Sequence, residues 1–122
     1  MIKGIGIDII EVERIKKAAT KNKNFLEKIF TNKEIEYFQS NYFQATTIAG
    51  NFAAKEAVAK TLGTGFRGFR WIDIEVRHDA LGKPEIVLYG QAEKVSQQMG
   101  IQQIWITISH SKDYAVAQAI AL

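Results

Sequence analysis

Residues 51–63, Asn-Phe-Ala-Ala-Lys-Glu-Ala-Val-Ala-Lys-Thr-Leu-Gly, constrain this chain more than any other stretch. Alanine, leucine, glutamate and lysine all favour helix, and Gly63 stands where a helix stop belongs. The spacing predicts a helix over roughly 45–62. Its apolar residues occupy most sides rather than one stripe, so it must be buried around most of its girth, and other elements have to wrap it. Glu56 and Lys60 sit on this helix one turn apart and face the same way. A carboxylate packed among alanines needs a partner, because an unpaired charge removed from water is costly. Two partners are open: Lys60, as an ordinary i, i+4 surface pair, or a bound cation. Lys55 is the charge on this helix expected to stay in solvent.

Residues 2–10 alternate as a strand, with Ile5, Ile7 and Ile9 on one face and Gly4, Gly6 and Asp8 on the other. The two glycines clear side chains from the face of Asp8, which suits a bulge or the close approach of another group. Val12, Ile15 and Ala19 then follow at helical spacing, with Arg14, Lys17 and Lys21 on another side. A short helical or turn segment at 25–30 precedes a helix running to about Gln39, which Thr31 and Glu34 open as a capping box. Residues 64–70 form a glycine-punctuated loop. Residues 71–78 alternate as a strand, Ile72, Ile74 and Val76 inward, Asp73, Glu75 and Arg77 outward. A turn at 79–84 leads to a strand at 85–89, then to a short helix over about 91–99 closed by Gly100. The end reads as a hairpin: Ile104, Ile106, Ile108 and His110 share one face of its first strand, 111–113 turn, and 114–121 return. Helices gather in the first half and strands in the second, which gives an α+β class with a mainly antiparallel sheet. A chain of 122 residues without repeat or linker reads as one domain, 1–122.

The absence of cysteine excludes disulfides, thiolate metal sites and cysteine nucleophiles, and fits a reducing cytoplasm. No apolar run is long enough to span a membrane. The N-terminus lacks a signal-peptide pattern, because an acid and glycines interrupt its apolar run. The net charge of +3 is uneven: Arg14, Lys16, Lys17, Lys21 and Lys23 follow one another with no acid between them. Such a cluster is either a solvated helix face or a docking patch for an acidic partner, whether nucleic acid, anionic membrane or acidic protein.

Asp8 reads either as a strand-end carboxylate capping the next helix or as an oxygen ligand for a hard cation. Magnesium takes one or two carboxylates and completes its shell with waters and substrate phosphates, a need Asp8 and Glu56 would meet. His110 is either a structural strand-end histidine or, with Ser109, Ser111 and Lys112, part of a phosphate-holding turn. Ser109 and His110 point to opposite faces, so they are not a hydrolase pair. His78 is an ordinary strand-end histidine. Gly82-Lys83-Pro84 reads as a turn before a strand, with a lysine able to reach an anion. A rival reading is a non-enzymatic nucleic-acid-binding domain, with the basic helix contacting phosphates and Phe66, Arg67, Phe69 and Arg70 adding stacking. It accounts for the charge but not for Asp8 and Glu56, which would repel phosphates.

Three segments, residues 4–15, 52–65 and 108–117, with Gly82-Lys83-Pro84 between the last two, resemble the small bacterial holo-acyl-carrier-protein synthases of the 4'-phosphopantetheinyl transferase superfamily. The resemblance spans the whole chain and implies that family's fold. It implies transfer of the phosphopantetheine arm of coenzyme A to a serine of acyl carrier protein, releasing adenosine 3',5'-bisphosphate. It further implies magnesium on Asp8 and Glu56, and Lys60 beside the coenzyme A phosphates. Gly63, Lys83, Pro84, His110 and Ser111 fall to the coenzyme A site. Arg14, flanked by Lys17 and Lys21, falls to acidic residues of the carrier protein. The family resemblance also implies a homotrimer with active sites at subunit interfaces. The serine proton would go to Glu56 or to a metal-bound water. One departure stands out: Asn51 occupies the place of an arginine, for which Arg67, Arg70 or Lys83 would have to substitute on a coenzyme A phosphate.

Overall fold

A computed structural model of this protein describes residues 1–63, 65 and 67–122. Along the chain run β1 (Gly4–Glu11), α1 (Val12–Lys21), α2 (Phe25–Ile29), α3 (Asn32–Ser40) and α4 (Ala45–Thr61). After a 3-10 turn at Trp71–Asp73 come β2 (Ile74–His78), β3 (Pro84–Leu88), α5 (Gly90–Gln98), β4 (Ile104–His110) and β5 (Tyr114–Ala121). The strands form two antiparallel sheets, one ordered β1-β5-β4 and the other the hairpin β2-β3. The chain is therefore α+β, as its element order implies, with the sheet divided in two.

α4 is buried on most sides, as its composition requires: Ile48, Ala49, Ala53, Ala54, Ala57, Val58 and Ala59 are inaccessible or nearly so. One side lies on the three-stranded sheet, where β5 presents Ala115, Ala117 and Ala119, all buried. Small residues on both surfaces let backbones approach, and β1 carries this furthest. A Cβ on Gly4 would overlap the Thr61 carbonyl oxygen, and one on Gly6 the Ala57 carbonyl oxygen. Only glycine lets the strand lie this close to the helix. The rest of the helix is wrapped by Ile15 of α1, Ile29 of α2, Phe30 and Phe38, the last two meeting edge to face with centroids 4.8 Å apart.

With the glycine face turned inward, the isoleucine face of β1 turns outward. Ile5, Ile7 and Ile9 are 60–65% exposed. Ile5 pairs with Ile120 and Ile120 with Trp105, so the exposed Trp105 continues the same face across the sheet. Scattered exposed apolar residues are ordinary, whereas a contiguous patch of this kind marks an interaction surface.

The capping box forms: Thr31 Oγ1 accepts from the Glu34 N–H, and Glu34 accepts from the Thr31 N–H at 2.8 Å. Gly63 and Gly100 take the positive φ expected beyond helix ends, and the terminal hairpin has the expected strands and turn. Three expectations are corrected. Residues 71–73 are a 3-10 turn rather than strand. Asp73 and Glu75 point inward, because both find partners there. Asp73 accepts from the Arg70 N–H at 3.1 Å. Glu75 accepts from the Thr31 hydroxyl at 2.6 Å, Arg77 Nε at 2.8 Å and the Tyr89 hydroxyl at 2.9 Å. Burial raises the proton affinity of Glu75, but these bonds and the Arg77 charge outweigh it and hold its pKa below the usual range. Lys55 is the third correction: it is not in solvent but wholly buried, paired with Glu34 at 2.6 Å. Burial pushes Glu34 up and Lys55 down, and their mutual attraction opposes both shifts.

Candidate active site

β1 and α4 run in opposite directions, since Gly4 meets Thr61 and Gly6 meets Ala57. The next residue on the inward face of β1 is Asp8, which arrives in the same cleft as Glu56. The cleft has a volume of about 320 Å³. Arg14 of α1 lines it, and Phe25 and Phe52 form an apolar wall, stacked with centroids 6.4 Å apart. Trp71 backs Phe52 at 5.0 Å.

Gly6 leaves room for Lys60 to lie along β1. Lys60 Nζ donates to the Ile7 carbonyl at 2.8 Å and sits 3.3 Å from Asp8 Oδ1. Lys60 thus pairs with Asp8 and not with Glu56, which the i, i+4 spacing alone would have suggested. Half of the lysine side chain remains exposed, so it can turn towards a ligand. Asp8 does not cap the following helix: the N-cap is Glu11, and it makes no side-chain cap bond.

Among the described residues Glu56 has neither a hydrogen bond nor an ion pair. Burial raises its pKa, the neighbouring Asp8 charge raises it further, and Lys60 offsets only part of this. Lys60 is taken by Asp8 and Arg14 makes no ion pair with either carboxylate, so Glu56 has no cation within ion-pair distance among the described residues. The donors are all oxygen, which fits a hard cation such as magnesium. No cluster of three or more histidines and acids occurs among the described residues, so further ligands would be waters and substrate phosphates, the shell magnesium favours.

The other candidates lie elsewhere on the chain. His110 is exposed in the row Ile10–Ala115–His110, two residues along from the row Asp8–Ala117–Ile108 and two strands from β1, about 10 Å across the sheet. Ser111 closes the hairpin: its N–H donates to the Tyr114 carbonyl at 2.8 Å, and its Oγ accepts from the Tyr114 N–H at 3.3 Å. Lys83 and Pro84 line a larger concavity of about 640 Å³ between β3 and β4, which contains neither carboxylate. Gly63 is exposed beyond the C-terminal end of α4. Lys17 and Lys21 are exposed on α1, the helix that brings Arg14 to the cleft. One chain therefore unites Asp8, Glu56, Lys60 and Arg14, and separates them from Lys83, Pro84, His110 and Ser111.

Asn51 is buried; its amide donates to the Thr47 carbonyl at 2.8 Å, and its Oδ1 has no partner among the described residues. Of its suggested substitutes, Arg67 and Lys83 are exposed, and Arg70 reaches Asp73 at 3.5 Å. The stacking loop of the nucleic-acid reading does not form as required: Phe69 is buried in the core, and Phe66, with Thr64, lies outside the described residues. His78, given no role, stacks on Tyr37 at 3.9 Å. The sequence reading missed Phe25 and Phe52 as the cleft wall; the only signal was Phe52's place one turn before Glu56.

A family profile for the 4'-phosphopantetheinyl transferase superfamily matches residues 4–119. A holo-[acyl-carrier-protein] synthase of Alkaliphilus oremlandii (strain OhILAs) is similar at 54% identity over 122 residues, covering all of both chains. Among solved structures, the holo-[acyl-carrier-protein] synthase of Neisseria meningitidis superposes with a TM-score of 0.90 at 35% identity, covering 100% of this chain and 99% of that one. The Helicobacter pylori enzyme in complex with coenzyme A gives a TM-score of 0.85 at 31% identity, covering 97% of this chain and 99% of that one.

Proposed function

The chain belongs to the 4'-phosphopantetheinyl transferase superfamily, and from that premise we propose that it acts as a holo-acyl-carrier-protein synthase, moving phosphopantetheine from coenzyme A to a serine of apo-acyl carrier protein. The observation that carries the proposal is the cleft where Asp8 and Glu56 converge, Glu56 without an ion-pair partner and Lys60 on Asp8. Relatives that match over their full length carry the same activity in their names, and one similar structure contains coenzyme A.

The serine hydroxyl attacks the pyrophosphate phosphorus on the pantetheine side, and adenosine 3',5'-bisphosphate leaves. Such a transfer depends on in-line positioning and charge neutralisation more than on covalent help. Asp8 and Glu56 would hold a magnesium ion, which when bound neutralises and aligns the pyrophosphate oxygens. Lys60, swinging from Asp8, supplies positive charge where it develops on those oxygens. Glu56 is favoured as acceptor of the serine proton, because burial and Asp8 both raise its proton affinity. Phe25 and Phe52 exclude water from one side of the cleft. Arg14, with Lys17 and Lys21 behind it, gives an acidic carrier protein its docking face.

Lys83, Pro84, His110 and Ser111 serve coenzyme A from a neighbouring copy. Two observations support this: their separation from the carboxylates within one chain, and the exposed Ile5, Ile7, Ile9 and Trp105 face, which a second copy would cover. The assembly is a homotrimer by family resemblance. No helix among the described residues is long and apolar enough to cross a membrane, and a cytoplasmic location fits a cysteine-free chain.

The direct test is mass spectrometry of apo-acyl carrier protein incubated with the protein, coenzyme A and magnesium. A phosphopantetheine mass gain is expected; none, from well-folded protein, overturns the proposal.

A further inference from the structure

Lys55, immediately before Glu56, is a charge that the reaction leaves unused. Its Nζ lies 2.6 Å from Glu34 Oε1 and donates to the carbonyl oxygens of Ile29 at 2.7 Å and Trp71 at 3.1 Å. An ammonium has three protons, and these acceptors take all of them. They come from the end of α2, the first turn of α3 and the 3-10 turn. Glu34 in turn accepts from the Val76 N–H at 3.0 Å, which carries the tether into β2.

On its other side α4 rests on alanines and glycines. That contact is close, and burial of apolar surface by itself has no direction. Rotation or sliding is opposed on that side by the close Gly4 and Gly6 contacts and by half-exposed Lys60, bonded to Ile7 and Asp8. On the Lys55 side a wholly buried ammonium with three fixed acceptors opposes both. Successive helix residues are about 100° and about 1.5 Å apart, so fixing Lys55 fixes where Glu56 points. Phe52, the cleft wall, packs on Trp71, whose own carbonyl holds Lys55. The carboxylate and the apolar wall thus depend on one anchorage. Buried ion pairs are weak evidence for stability, and setting register is their best-attested use.

We propose that Lys55 is a positioning residue for the transfer reaction: its anchorage to Glu34, Ile29 and Trp71 sets the rotation and register of α4 and so holds Glu56 against Asp8. The inference rests on the reading of Asp8 and Glu56 as metal ligands.

The test compares wild type, Glu34→Gln, the pair Lys55→Met with Glu34→Gln, and Glu56→Gln. Each is followed by transfer kinetics and by manganese titration at saturating coenzyme A, with free manganese read by electron paramagnetic resonance. Both tether variants should keep the wild-type number of sites per chain but lose about tenfold or more in manganese affinity and in kcat. The KM for coenzyme A should stay unchanged. A merely structural role gives the opposite split: fewer sites, each of wild-type affinity, with kcat reduced in proportion. That result overturns the inference, as does wild-type affinity and kcat in either variant. Failure of both variants to fold also overturns it, by making the tether a folding element. The reading of the carboxylates fails separately, if wild type transfers nothing or if Glu56→Gln keeps full turnover and full manganese affinity.

Discussion

Glu56 is held in a state that suits a cation better than it suits an empty cleft. Burial and the Asp8 charge raise its pKa above the usual carboxylate value. The folded protein therefore binds a proton there more tightly than the unfolded chain does. The stability this confers is fully present below the ordinary carboxylate pKa and is lost as pH rises through the raised folded value. Without metal, above that raised value, ionised Glu56 is then a destabilising group. Glu56→Gln should lower kcat by about 100-fold or more, since it removes a ligand as well as a proton acceptor. The same variant should melt higher than wild type in metal-free buffer at a pH above that raised value. Magnesium should raise the melting temperature of wild type, by binding only the folded state, and do less for the variant. Melting curves with and without magnesium check this; a variant that melts lower than wild type without metal contradicts the electrostatic account.

At the level of elements, the site depends on how closely β1 lies on α4. Gly6→Ala would place a methyl group on the Ala57 carbonyl oxygen. Backbone cannot rotate away as a side chain can, so the strand must lift. The cost should reach or exceed the about 1–3 kcal/mol usual for overpacking, read as a shift in urea midpoint, and turnover should fall because Asp8 moves with the strand. On α1, Arg14 joins the cleft to the basic face. Arg14→Glu should lower kcat/KM for carrier protein by about tenfold or more while leaving the KM for coenzyme A unchanged, and wild-type carrier affinity should weaken with added salt. Unchanged affinity across ionic strengths would remove the docking role. What could be read from sequence was local. The Thr31–Glu34 box spans three residues, the terminal hairpin alternates cleanly, and two glycines beside Asp8 announce a close neighbour. The failures were charges whose partners lie far along the chain. Glu75 finds Thr31, and Lys55 finds Glu34, Ile29 and Trp71; local spacing offers such residues only solvent. Lys60 shows the same limit: the helix supplied Glu56 at the right interval, but β1 brought Asp8 closer.

At the scale of the whole molecule, the groups proposed to act together lie in separate places on one chain. Asp8 and Glu56 lie in one cleft with Lys60 on Asp8, while Lys83 and Pro84 line another and His110 sits two strands away. The isoleucine face of β1 and Trp105 remain exposed. If copies associate cyclically and each carboxylate cleft is completed by its neighbour, two differently broken chains can repair one another. Glu56→Gln destroys the carboxylate half and leaves the histidine half intact; His110→Ala does the reverse. Each variant alone should be nearly inactive. When equal amounts are unfolded together and refolded as mixed assemblies, random association gives about a quarter of interfaces both intact halves. Transfer activity should therefore return to about a quarter of wild type, although neither preparation contains a wild-type chain. Mixing the folded variants without exchange should restore nothing, which controls for contamination. A site built within one chain predicts no recovery under either protocol, because every chain would still carry one broken half. The amount of activity recovered thus reports directly whether His110 serves the carboxylates of its own chain or those of the next.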